Sequence, residues 1–236
     1  MEWNHHLDSY CERTSLAFWA EPINAVTNLA FLVAAFVLWR ALREAGAFAP
    51  GSPAPTPRAA PTSLRVLVVL VASIGVGSFV FHTVATTWSA PLDVVPIELF
   101  IHFYVACYLH LFWQLRWRWA WLGVALFLVS SVILTASIGV RLANGSGSYL
   151  PALLGLLGFT AALASSRDRQ RAAHWRAFAA AGVVFTLSLL ARTVDITVCH
   201  RFPLGTHFVW HVLNAGVLFL LSHAAIRRWR ELTPSR

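Results

Sequence analysis

Seven stretches of this chain are apolar enough, and long enough or nearly so, to cross a bilayer, and that repetition limits its fold more than any other feature. They lie at about Ile23–Leu42, Leu64–Thr86, Val94–Leu115, Trp119–Val140, Tyr149–Ser165, Ala177–Val198 and His207–Ile226. A helix needs about 20 such residues to span the hydrocarbon core. Only 12% of the residues are charged and 58% are hydrophobic, whereas a soluble domain carries about a quarter charged. The expected fold is therefore all-α, a polytopic bundle of seven transmembrane helices. The proline-rich stretch "GAFAPGSPAPTPRAAPT" cannot stay helical, because its prolines lack amide donors, and it reads as the one sizeable loop. No internal repeat or second domain is visible. The expected organisation is one domain over residues 1–236, with an N-terminal segment (1–22), the bundle (23–228) and a short tail (229–236).

Every basic residue is an arginine. With seven spans, the loops after the first, third and fifth share one side with the C-terminus. That side receives all but Arg13, Arg141, Arg192 and Arg201 of the 18 arginines. The positive-inside rule then predicts the N-terminus outside and the C-terminus in the cytoplasm. The net charge of +8 is thus mostly a topology signal. Arginines spread over short loops with no recognition motif exclude a nucleic-acid partner. The opening "MEWNHHLDSYCERT" has neither a basic n-region nor an apolar h-region, so no cleavable leader is expected. A repertoire rich in Ala, Leu and Arg without Lys suggests a bacterial source, hence an inner membrane with a periplasmic outer face.

This topology gives polar residues a depth. His82 falls near the outer end of the second span, with Ser78 one turn deeper on the same face. The short "TTWSAP" connection makes the second and third spans antiparallel neighbours, and Asp93 stands at the outer mouth of the third. In "GTHFVWHVLNAG", His207 and His211 share a face in the first two turns of the seventh. Singly, each has a plain reading: an interfacial histidine (the reading preferred for His110, His174 and His223), a small residue for close helix packing at Ser78, an N-cap at Asp93. Together, three imidazoles at matching depth favour a metal. Three histidines that leave a fourth position open make a catalytic zinc arrangement, with His102 as a deeper reserve ligand.

A second polar group precedes the first span. Asp8, Glu12 and Glu21 suit a hard cation such as calcium, or are simply a solvated acidic segment. Asn24 and Asn28 have the spacing to bond neighbouring helices.

In this order the landmarks "YCE…AEPINAVTN", "GVGSFVFH", "LDVVP" and "HFVWH" resemble the alkaline ceramidase family, within a wider group of seven-span hydrolases that includes adiponectin-receptor-like proteins. The resemblance runs almost end to end. It implies zinc on His82, His207 and His211, with Ser78 and Asp93 in catalysis, and a calcium site for which Asp8, Ser9, Tyr10, Glu12 and Glu21 are candidates. There the chain departs from the pattern. Ser9 stands where the family has aspartate, Thr14 replaces an asparagine, and the stretch before "AEPIN" is shorter. Cys11 and Cys199 fall on one side, outside the membrane, and resemble a family pair, implying a Cys11–Cys199 disulfide in an oxidising compartment. Free thiols are the alternative, since the cysteines number 3. The expected activity is hydrolysis of the N-acyl bond of a ceramide-like membrane lipid to a sphingoid base and a fatty acid. The rivals are a non-enzymatic lipid-binding or receptor-like protein with structural metal, and a hydrolase of another amide or ester lipid.

Overall fold

The computed structural model describes residues 3–46, 60–138 and 144–232. Its helices are α1 (Pro22–Thr27), α2 (Leu29–Gly46), α3 (Thr62–Val84), α4 (Ala90–Phe112), α5 (Trp117–Ile138), α6 (Leu150–Ala164), α7 (Arg169–Ala172), α8 (Trp175–Val198) and α9 (His207–Leu232). A 3-10 turn over Ser146–Tyr149 leads into α6. α1 and α2 form one span, so the described residues contain 7 helical units long and apolar enough to cross a membrane. The protein is an integral, multi-pass membrane protein. Most of the proline-rich loop, and the far end of the expected fourth span, lie outside the described residues.

Proline punctuates the bundle where a missing amide costs nothing, near the first turns of α1, α4 and α6. α3 ends at Ala85, whose φ of 45° places it in the left-handed region. The spans close into a ring, with α2 packed on α3, α3 on α4, α4 on α5, α5 on α6, α6 on α8, α8 on α9, and α9 back on α2. Half of the α3 and α9 spans is buried, against 11% of α5, so α3 and α9 form the centre and α5 the rim. Leu38, Leu64, Phe100, Tyr108, Phe112 and Phe178 fill the core. Val33, Phe36, Leu126, Val132, Ile133 and Val183 point outward, the distribution a lipid solvent favours.

Some helix ends differ from expectation: α2 runs on to Gly46, past Leu42, and α9 to Leu232, past Ile226, while the difference that bears on the site is at the start of α4. α4 begins at Ala90, four residues before Val94, so Asp93 lies inside the first turn and the N-cap position belongs to Ser89. Hydropathy misses this turn because Pro91 and Asp93 depress it. Further along α4, Pro96 has no amide with which to bond the carbonyl of Leu92. That carbonyl lies against Gly77 of α3, where any Cβ would overlap it. The pairing of a glycine with a proline-freed carbonyl draws α3 and α4 together beside Ser78 and Asp93.

Residues 3–7 cross the end of α3. Leu7 N–H donates to the Ala85 carbonyl at 2.8 Å, and Thr87 N–H to the His5 carbonyl at 3.0 Å. Asn24 and Asn28 bond locally rather than to neighbouring helices, Asn24 to Glu21 and Asn28 to the Asn24 carbonyl.

Gly77→Ala should force α3 and α4 apart, because the obstacle is backbone and cannot rotate away. Overpacking of this kind costs about 1–3 kcal/mol, and thermal unfolding in detergent should show a lowered Tm. An unchanged Tm would mean the contact has slack.

Candidate metal centre

His82 comes from the last turn of α3, and His207 and His211 from the first two turns of α9. All three are buried, at 0%, 1% and 2% exposure. Their ring centroids lie 5.1 Å (His82–His207), 4.8 Å (His82–His211) and 4.7 Å (His207–His211) apart. One nitrogen from each can be chosen so that all lie within 4.8 Å of one another. Unpaired polar atoms in such a place are costly, yet Nε2 of His82 and Nδ1 of His207 have no hydrogen-bond partner. A cation among the rings would satisfy them, and the donor set of three imidazoles fits zinc.

The supporting contacts orient the rings. His82 Nδ1 meets Glu21 Oε2 at 2.6 Å, and His211 Nδ1 meets Thr27 Oγ1 at 3.0 Å. Partners of this kind fix which nitrogen faces a metal. Tyr10 stacks on His207 with centroids 3.7 Å apart, and burial pushes its phenol well above the ordinary range, so it stays neutral.

The backbone of His207 is also held. Asp195 of α8 is buried, and its Oδ1 accepts from the amides of Thr206 (2.6 Å) and His207 (2.9 Å) at the start of α9. Its Oδ2 accepts from the amide of Cys11 at 3.1 Å. Gly205, at φ 63°, permits the approach, since a Cβ there would overlap Asp195. Cys11 and Cys199 are joined by a disulfide with Cα atoms 5.3 Å apart. The third cysteine, Cys107, is free and buried.

Ser78 and Asp93 line one cavity together with His211. Ser78 is 2% exposed. Beyond these groups the walls are mostly apolar, with Phe100, Ile101, Leu156 and Leu218 among them. His102 stands apart, with Nδ1 against the Glu98 carbonyl, in a different cavity. His174, read from the sequence as interfacial, is buried and bonds Glu231.

The acidic segment does not fit a calcium site. Asp8 and Ser9 are exposed, and Tyr10 is turned toward His207. Both oxygens of Glu12 accept from amides at the start of α1, Ile23 N–H at 2.6 Å and Asn24 N–H at 2.8 Å. Glu21 is taken up by Arg13 on Oε1 and by His82 and Asn24 on Oε2. Burial alone would raise the Glu21 pKa. The hydrogen bond and charge of His82, with the hydrogen bonds from Arg13 and Asn24, outweigh it and hold the carboxyl below its usual range.

Arg13, Thr27 and Asp195 were not among the site residues expected from sequence. Asp195 had a usable signal, a carboxylate inside an apolar span; Arg13 and Thr27 had none.

A family model described as Ceramidase matches residues 8–233. No curated protein matches the chain.

His211→Ala removes one of three ligands and should abolish stoichiometric metal, measured by elemental analysis of purified protein. Full metal content in that variant would break the assignment.

Proposed function

The chain belongs to the ceramidase family, and we propose on that premise that it is a zinc-dependent amidohydrolase that cleaves ceramide-like lipids to a sphingoid base and a fatty acid. The observation that carries this reading is the cavity that joins His211 of the histidine cluster to Ser78 and Asp93 and continues between apolar walls. Membership of the family supports a hydrolase acting on a lipid amide. The buried histidines support zinc by their chemistry.

Zinc, when bound, supplies Lewis acidity and lowers the pKa of water to about 7. The remaining roles fall to the chain. The attacking water loses a proton to the Asp93 carboxylate as its oxygen bonds the acyl carbon. The Ser78 hydroxyl donates to the carbonyl oxygen as negative charge develops there. Asp93 then returns the proton to the departing nitrogen as the C–N bond breaks. Glu21 and Thr27 keep His82 and His211 in register throughout. The apolar walls hold hydrocarbon and exclude bulk water from the amide.

The arginine asymmetry supports an orientation with this end of the bundle outside the cytoplasm, on the periplasmic side in a bacterial inner membrane. The disulfide at the same end supports an oxidising compartment. A hydrolase uses an acid–base group near the metal and a structural metal centre needs none, so the presence of Asp93 in the cavity that His211 lines supports this reading over a receptor-like one.

Asp93→Asn preserves size but removes the base. Zinc content should be unchanged while hydrolysis of a lipid amide falls about 10²–10⁴-fold, with Ser78→Ala milder. Wild-type turnover by Asp93→Asn would refute the proposed role.

A further inference from the structure

Arg13 carries its charge where a charge is costly. Its side chain is 2% exposed and that of Glu21 1%. Buried ions persist only when paired and hydrogen-bonded, and Arg13 meets that condition with all three guanidinium nitrogens. Nε donates to Glu21 Oε1, one terminal nitrogen to the Ser15 carbonyl at 3.2 Å, and the other to the His82 carbonyl at 3.0 Å. The His82 carbonyl lies in the last turn of α3, where carbonyls lack helical donors and a cation is favoured. One guanidinium thus joins the N-terminal segment, the entry to α1 and the end of α3.

Both carboxylates have their oxygens engaged without a divalent ion. Glu12 accepts from two amides at the positive end of α1, and Glu21 pairs with Arg13. Through its other oxygen, the carboxylate that Arg13 holds also fixes Nδ1 of His82.

We propose that Arg13 is the built-in cation of this segment: its guanidinium stands against Glu21 in the place a calcium ion would take, and holds His82 ready for its metal without calcium. Arg13 is a positioning residue, acting through Glu21. The inference rests on the reading of His82, His207 and His211 as zinc ligands.

The test uses the purified full-length chain and needs no substrate. Wild-type protein should show the same Tm and the same zinc affinity in calcium-free buffer and in millimolar calcium. Arg13→Ala leaves Glu21 without its partner, and zinc affinity, measured by chelator competition, should fall about 10–100-fold, the usual cost of losing a group that orients a ligand. Millimolar guanidinium should restore it. Arg13→Lys keeps the charge but not the planar fork, and should lie between the two. Stoichiometric calcium binding with a raised Tm in wild-type protein would overturn the proposal, as would undiminished zinc affinity in Arg13→Ala. If Arg13→Ala fails to fold, Arg13→Lys and the wild-type calcium comparison decide. A wild-type chain that takes up no zinc would instead defeat the metal-centre reading, and its response to calcium would still settle whether Arg13 replaces that ion.

Discussion

The contact between Glu21 and His82 is the point on which the metal end of the bundle depends. In a buried imidazole, the hydrogen bond made by one ring nitrogen sets the tautomer and so the role of the other. Glu21 engages Nδ1 and leaves Nε2 directed elsewhere without a partner. The carboxylate can do this only because it is itself immobilised, by Arg13 on one oxygen and Asn24 beside His82 on the other. It sits one residue before Pro22, so the start of α1 sets its position. The geometry of a side chain on α3 is therefore fixed by a short irregular segment and the first turn of another span.

Around that centre the bundle separates two solvents. α3 and α9 are the most buried spans and carry the polar groups, while α5, on the rim, exposes apolar side chains along most of its length. The cavity is lined by Ser78, Asp93 and His211 together with a larger set of apolar side chains, Phe100 and Leu221 among them, so one space brings polar groups and hydrocarbon together.

The seven spans and the histidine cluster were legible in the sequence because both follow from periodicity. Apolar runs near twenty residues mark the helices, a four-residue step puts His207 and His211 on one face, and alternating direction brings His82 to the same depth. The start of α4 was misplaced because a hydropathy window does not register Pro91 as helical. The N-terminal segment was harder for a different reason. Its backbone has no repeating geometry, so nothing in the spacing shows that Arg13 turns back onto Glu21 or that Glu12 faces the amides of Ile23 and Asn24. Composition registers carboxylates and counts them as cation ligands. It does not reveal that backbone donors and a neighbouring guanidinium have already claimed their oxygens. Asp195, not among the expected site residues, differs in that a lone acid in an apolar helix is a usable signal, though one that does not reveal that it holds Cys11 and the start of α9 at once.

The disulfide spans 188 residues of chain, and this has a consequence for how the molecule is made. Cys11 precedes the first span and emerges early in synthesis, while Cys199 follows α8 and emerges near the end. Until then, the N-terminal segment has neither its covalent anchor nor the Asp195 carboxylate that receives the Cys11 amide. The histidine cluster waits as well, since two of its members open the last helix. Oxidation of the pair and assembly of the histidines therefore share one prerequisite, the arrival of the final spans. The crosslink records the arrival of α8, the histidine cluster that of α9, and a chain truncated before α8 ends can acquire neither.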